Sequence, residues 1–393
     1  MSIQLLRHAD CFAPEPIGTV SVLVAAGTII WIGDDLAPLP ATLDVAERDL
    51  GGRRLIPGFI DCHVHLTGGG GETGGARFRV PRVALSQLTR GGTTTAVGLL
   101  GTDDITRTTA DLIATARGLG EEGITAYCYT GGYHYPPVTL TGSVSGDIAL
   151  IDIVIGVGEL ALSDHRSSQP TLDELLRVAS EAHVGGLVTG KAGTLHLHLG
   201  DGPRGLSLVQ EALEQGEIPA RVYNPTHVNR RSALFDEAMR LAEQGCTIDV
   251  TAFPVDDGED ALSAEDAVVR YLDAGLPAER ITVSSDGGGC LPTFDDAGNP
   301  TGMDVARPSS LSDCLAALVD GGQALDRVLP AFTSNVADLL RLPAKGRIEV
   351  GADADLVVLD DDNRPADVMA RGRWHVIDGT AVVRGTFERP SDA

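Results

Sequence analysis

The sequence predicts an α/β chain, a (β/α)8 TIM-like barrel with a small β-sandwich domain formed by both termini. Three observations predict it. From Leu55 to about Gly289, short apolar runs alternate with amphipathic helical patterns, as repeated βα units on a parallel sheet require. Eight such runs can be counted, which suits closure into a barrel, and no G-x-G-x-x-G follows an early strand as an open doubly wound sheet would suggest. Outside that region both ends change to β-branched runs punctuated by glycine and aspartate.

The elements follow in order. SVLVAAGTIIWIG, Ser21 to Gly33, reads as a hairpin. LIPGFI, Leu55 to Ile60, is apolar throughout, so it reads as a strand buried on both faces, from whose end DCHVH emerges. The further strands are expected at Thr93–Leu100, Thr125–Tyr133, Asp152–Glu159, Thr194–Gly200, Arg221–Val228, Thr247–Phe253 and Ile281–Gly288. Between them, Thr171–Gly186 and Ser232–Gly245 carry apolar residues at i, i+3 and i+4 and close on a glycine suited to a C-cap, which predicts helices. In the tail, GADADLVVLD and WHVIDGTAVVRG read as further hairpin strands. Because termini tend to lie close together, residues 1–54 and 345–393 are expected to form the small domain, with the barrel, 55–344, inserted into it.

Composition narrows the function classes. At 393 residues and 43% hydrophobic, the chain can bury a sizeable core. A formal net charge of -25 opposes non-specific binding to nucleic acid or an anionic membrane, so an anionic substrate has to be held by particular arginines. No stretch has the apolar length of a membrane span, MSIQLLRHAD lacks the layout of a signal peptide, and the six cysteines are scattered without a C-x-x-C. A cytoplasmic location with reduced thiols is expected.

In a parallel barrel, catalytic side chains gather at the C-terminal ends of the strands. There the sequence places His63 and His65, Glu159, His198, His227 and Asp286. Two positions apart in a strand, His63 and His65 share a face and can bind one ion. Six nitrogen and oxygen donors suit two zinc-like ions with a bridging hydroxide. Taken singly, each residue has an ordinary explanation: a salt bridge for Glu159, an H-L-H pair with His196 for His198, a turn for Asp286. Recurrence at five of the eight strand ends favours the metal reading. His134, His165 and His183 are left as structural or supporting groups.

PGFIDCHVHLTGGGGE, SDHRSSQPT, PTHVNR, SSDGGG and the closing GRIEVGADADLVVLD resemble the amidohydrolase superfamily and, within it, the isoaspartyl dipeptidases (β-aspartyl peptidases), over essentially the whole chain. The resemblance implies a binuclear zinc barrel that cleaves the isopeptide bond of a small isoaspartyl dipeptide, in a homo-oligomer. By motif position it implies that His63 and His65 hold the more buried Zn2+ and His198 and His227 the second, and that Asp286 binds metal and shuttles a proton. Tyr133 would polarise the scissile carbonyl. Glu72 and Arg230, helped by Thr102, would fix the aspartyl amino and carboxylate groups, and Arg166 the C-terminal carboxylate. Two departures stand out. Where the family often bridges its metals with a carboxylated lysine, GVGELALSDHRS offers Glu159 and no lysine, and Lys191 reads as a helix-flanking residue. Where related sequences tend to have serine after SSDGxG, this chain has Cys290, a weaker hydrogen-bonding partner. The competing readings are an N-acyl-D-amino-acid deacylase or cyclic-amide hydrolase with the same metal set, and a metal-binding scaffold without catalysis.

Overall fold

In the computed structural model, residues 3–389 are described, apart from 35, 37–38, 41, 73–74, 76, 257 and 295–299. Strands β1 (Ile3–Phe12), β2 (Pro16–Ala25), β3 (Thr28–Gly33), β4 (Val45–Asp49) and β5 (Arg54–Pro57) come first. Eight strands with intervening helices follow: β6 (Phe59–Val64), β7 (Thr93–Gly98), β8 (Thr125–Thr130), β9 (Val154–Leu162), β10 (Thr194–Leu199), β11 (Tyr223–Thr226), β12 (Ile248–Thr251) and β13 (Ile281–Ser284). A hairpin, β14 (Cys290–Phe294) with β15 (Pro300–Val305), leads to the last helices. The chain closes with β16 (Leu356–Leu359), β17 (Pro365–Ala370), β18 (Arg373–Ile377) and β19 (Thr380–Ala381).

Strands β6 to β11 pair in sequence order as one parallel sheet, and β12 pairs parallel with β13. A parallel bridge from Val64 to Gly287 brings the chain just beyond β13 against the end of β6, so the sheet curls round on itself in the manner of a TIM-like barrel. All residues of β6, β7, β9 and β10 are buried, as strands of a parallel sheet covered on both faces are.

Strands from both ends of the chain share a second sheet, ordered β19-β18-β17-β16-β5-β1-β2-β3 with β4 on β1. The Ser21–Gly33 hairpin forms as expected, turning at Ala26 and Gly27, both with positive φ, as a two-residue hairpin turn requires. Lys345, 5% exposed, bonds Asp355 at 2.6 Å and Thr125 of β8 at 2.6 Å, pinning the returning chain to the barrel. The run Leu55–Ile60, expected as one strand, is two: Arg54–Pro57 pairs with β1 and β16, and the barrel strand starts at Phe59. The break is at Pro57-Gly58, where any Cβ on Gly58 would lie 2.2 Å from Thr94 Oγ1.

Helix Leu172–Thr189 begins with a Thr171/Glu174 capping box. It runs past the expected end at Gly186, because Gly185 and Gly186 serve close packing against Ile148 and Gly193, and Gly190 supplies the left-handed cap. Helix Ser232–Glu243 ends before Gly245 at φ +101°.

His375, 0% exposed, has no hydrogen-bond partner on either ring nitrogen among the described residues. Burial, with Arg373 nearby, pushes it down to about 4 from 6.5. The unfolded chain therefore takes up this proton first as pH falls, so the stability is full above pH 6.5 and is lost across 6.5 to about 4. His375→Leu should remove roughly 2 kcal/mol of that acid lability after allowing for screening, read as a flatter fall in urea midpoint over this window. An unchanged fall would show that another group is responsible.

Candidate active site

Five of the eight barrel strands bring candidate ligands to one end of the sheet, with one local device that is invisible in the sequence. Glu159 was expected to end its strand, yet β9 continues to Leu162. Leu195 pairs with Val157 and Leu197 with Leu160, so Gly158 and Glu159 together oppose the single residue His196. This bulge re-aims Glu159 into the barrel without ending the strand. His227 and Asp286 follow their strands in left-handed conformations, φ +60° and +53°.

The Glu159 carboxylate sits among four imidazoles. Its Oε1 is 3.5 Å from His65 Nε2; its Oε2 is 3.7 Å from His63 Nε2, 3.1 Å from His198 Nδ1 and 3.4 Å from His227 Nε2. Asp286 Oδ1 is 3.3 Å from His63 Nε2 and 3.1 Å from His65 Nε2. Neither approach is aligned as a hydrogen bond, so His63 Nε2 and Asp286 Oδ1 are buried without a partner among the described residues. Orphaned donor atoms converging on one space are costly unless a cation joins them. Two triads, His63/His65/Asp286 and His63/Glu159/His227, have ligand atoms mutually within 4.8 Å, so the residues fit a metal.

Electrostatics set the protonation states. Burial, reinforced by Asp286, pushes the Glu159 carboxyl well above its usual range, and burial holds His198 and His227 well below theirs, leaving neutral imidazoles with lone pairs. Burial alone would raise Asp286, but the facing His63 and His65 outweigh it and hold Asp286 well below the usual range. Burial, with Glu159 nearby, raises Tyr133 far enough to keep its phenol protonated, 2.8 Å from His198 Nδ1.

Beside this cluster opens a cavity of about 620 Å3, lined in part by Glu72, Tyr133, Arg166, Arg230, Asp286 and Cys290. The expected substrate groups are brought together around this cavity, and three of them touch. Arg166 Nη1 contacts Glu72, and Thr102 Oγ1 donates to Glu72 Oε1 at 3.0 Å. Arg230 lies 3.7 Å from Asp201. Burial, with Arg230 nearby, lowers Arg166 to about 10, still a cation at neutral pH. Burial raises the Cys290 thiol, so it meets the cavity as a neutral group. Lys191 lies apart, its Nζ spent on the carbonyls of Ile148, Ile151 and Val154.

Asp164 has a part that the sequence reading missed. It takes a fork from Arg166 Nε and Nη2 at 2.9 and 2.7 Å and lies 3.1 Å from His198 Nε2, so it orients both a candidate ligand and a candidate substrate arginine. The available signal was its place two residues before Arg166 in SDHRS. Of the remaining histidines, His134 bonds Asp104 at 2.8 Å and His183 lies 3.4 Å from Arg221, both outside the cluster.

Comparison with known proteins agrees with this geometry. The amidohydrolase family model matches residues 54–375. The crystal structure of a β-aspartyl dipeptidase from the keratin-degrading thermophile Fervidobacterium islandicum AW-1, in complex with β-Asp-Leu, superposes with a TM-score of 0.89 at 41% identity, over 96% of this chain and 98% of that one. A D-hydantoinase from a Thermus species shares the fold with a TM-score of 0.69 at 17% identity, over 98% and 97% of the two chains. The imidazolonepropionase of Paracoccus denitrificans is 25% identical over 94% of this chain and 96% of its own length. The chain belongs to the amidohydrolase family and, by a 41% match along nearly its whole length, to the group that holds the β-aspartyl dipeptidases.

Proposed function

We propose that the protein is a metallo-dipeptidase that hydrolyses isoaspartyl dipeptides with two divalent ions, Zn2+ by the nitrogen-rich donor set. The observation that carries the substrate class is the likeness to a β-aspartyl dipeptidase holding β-Asp-Leu, matched at 41% identity over 96% of the chain. His63, His65 and Asp286 would hold one ion, His198 and His227 the other, with Glu159 between them; its oxygens already face all four imidazoles. When bound, the ions supply an acidified water and a polarised carbonyl.

The chain's own residues do the rest. Glu72 accepts the substrate's α-ammonium while Arg230 pairs with its α-carboxylate and Arg166 with that of the leaving residue, with Thr102 steadying Glu72 and Cys290 bordering the cavity. A peptide with one ammonium and two carboxylates would meet one carboxylate and two guanidiniums here, so each charge brought into the cavity would have a partner. Tyr133 donates to the oxyanion that forms at the scissile carbonyl. Asp286 takes the proton of the attacking water and returns it to the leaving amine.

Further parts of the proposal rest on other observations. Leu6, Val22, Leu55, Leu356 and Met369 share an apolar cluster separate from the barrel core, which supports a β-sandwich domain of residues 1–54 and 345–393 beside a 55–344 barrel. The pairing of Arg54–Pro57 in the terminal sheet favours a first junction nearer Gly58. Exposed Leu150, Leu187 and Val188 support a homo-oligomer, checked by sedimentation. No described helix is long and apolar enough to cross a membrane. Six free cysteines, five of them buried, support a cytoplasmic location.

The test uses apoprotein reconstituted with zinc in bicarbonate-depleted buffer. Full hydrolysis of L-isoaspartyl-leucine is expected, because Glu159 needs no carbon dioxide to become a carboxylate. A strong bicarbonate requirement would point instead to a carbamate. Glu159→Ala should lose both bound metal and turnover; two ions per chain with full activity would sink the assignment.

A further inference from the structure

We propose that His196 and Asn224, on the neighbouring strands β10 and β11, are positioning residues that fix the tautomer of His63 so that its Nε2 lone pair faces the metal position. The inference rests on the metal reading above and concerns two side chains that reading does not use.

The argument runs along a chain of hydrogen bonds with a fixed direction. Its far end is the backbone carbonyl of Thr247, which can only accept, 2.7 Å from Asn224 Nδ2. The amide nitrogen of Asn224 is therefore turned to Thr247, and its oxygen, Oδ1, faces His196 Nδ1 at 2.6 Å. An amide oxygen cannot donate, so His196 Nδ1 carries the hydrogen. His196 is 0% exposed and has no carboxylate within hydrogen-bonding distance, surroundings in which an imidazole is neutral, so its Nε2 is a bare acceptor. That acceptor lies 2.8 Å from His63 Nδ1. His63 must then hold its hydrogen on Nδ1. Its other nitrogen, the one without a partner that faces Asp286 Oδ1 at 3.3 Å, is left to donate its lone pair.

The relay is held rigid. Tyr129 stacks on the His196 ring at 5.1 Å between centroids and 18° between planes. Asn224 is 0% exposed, as is His63. His196 lies opposite the bulge at Gly158–Glu159, where a Cβ on Gly158 would come within 2.7 Å of His196 Cβ, so the residue that aims His63 also packs where the strand turns Glu159 inward. Metal-bound histidines use their second nitrogen in this way, most often on a carboxylate or a backbone carbonyl. Here a neutral imidazole and an amide do it, adding no negative charge to a site that already buries Glu159 and Asp286.

The test measures zinc affinity of the apoprotein by chelator competition, with no substrate present. His196→Leu, which leaves the His63 Nδ1 hydrogen without an acceptor, should weaken zinc binding by about ten- to a hundredfold, and Asn224→Leu, which frees the His196 tautomer, should weaken it too. His196→Gln, whose amide can accept from His63 and donate to Asn224, should recover most of the loss. Nitrogen-15 spectra of histidine-labelled, zinc-loaded protein should show His63 protonated at Nδ1. If His196→Leu fails to fold, the Asn224→Leu and His196→Gln pair and the wild-type spectrum still decide. Equal affinities across folded variants, or a His63 proton on Nε2, would overturn the relay alone. Absence of zinc binding by the wild-type would overturn the metal reading with it.

Discussion

Replacing Asp286 by asparagine should lower kcat for L-isoaspartyl-leucine by roughly a hundred- to ten-thousand-fold with little change in KM, the range that general acid and base help is worth. The substitution keeps the size of the side chain and one oxygen, so the Oδ1 position near His63 and His65 can still be filled. What it removes is the basic carboxylate. His63 and His65 face Asp286 and oppose the effect of burial, so at neutral pH the native group is an ionised carboxylate. Its near neighbour Glu159 is not expected to take over, because its oxygens face all four imidazoles. A loss under tenfold with metal content unchanged would count against Asp286 as the proton carrier, and a fall in bound zinc matching the fall in kcat would make it a ligand only.

The parts of this arrangement legible in the sequence are those that depend on chain-local periodicity. A repeated strand-helix pattern marks where each strand ends, and histidine and aspartate recurring at those ends stand out, which is how His63, His65, His198, His227 and Asp286 could be singled out together. The parts that were not legible depend on register between strands. The bulge that aims Glu159 exists only because Leu195 and Leu197 pair across one residue too many, and no property of GVGEL alone states it. Leu55–Ile60 read as one strand because apolar composition does not record which sheet each half joins. Asp164, His196 and Asn224 acquire their roles from neighbours 34, 133 and 23 residues away in sequence, beyond any local pattern. Resemblance supplied the substrate groups, but not the contact of Glu72 with Arg166, which places two opposite charges side by side in one largely buried position.

The cavity they line also carries the selectivity prediction. L-isoaspartyl-leucine should be cleaved and L-α-aspartyl-leucine rejected, although both have the same groups and net charge. In the iso form the scissile carbonyl belongs to the side chain, so the α-amine and α-carboxylate sit together on the acyl part, within reach of Glu72 and Arg230 across the same cavity. In the α form the free carboxylate is one methylene away, and an arginine fork held by packing cannot follow it without losing alignment. Arg230→Met should therefore cut kcat/KM for the iso substrate by at least about a hundredfold, more than one charge-assisted bond in water is worth, because it strands a carboxylate in a desolvated site. Arg166→Met should behave differently. Its fork is bound to Asp164, which also touches His198, so the change removes the leaving-residue contact and loosens a candidate ligand together. Dipeptides should suffer more than isoaspartyl amides without a C-terminal carboxylate, and the amides should show only the part transmitted through Asp164. Equal cleavage of α and iso peptides, or neutral effects of both arginine changes, would leave a generic amidohydrolase, such as a deacylase or cyclic-amide hydrolase, as the better account, since neither needs an amine and two carboxylates gripped at once.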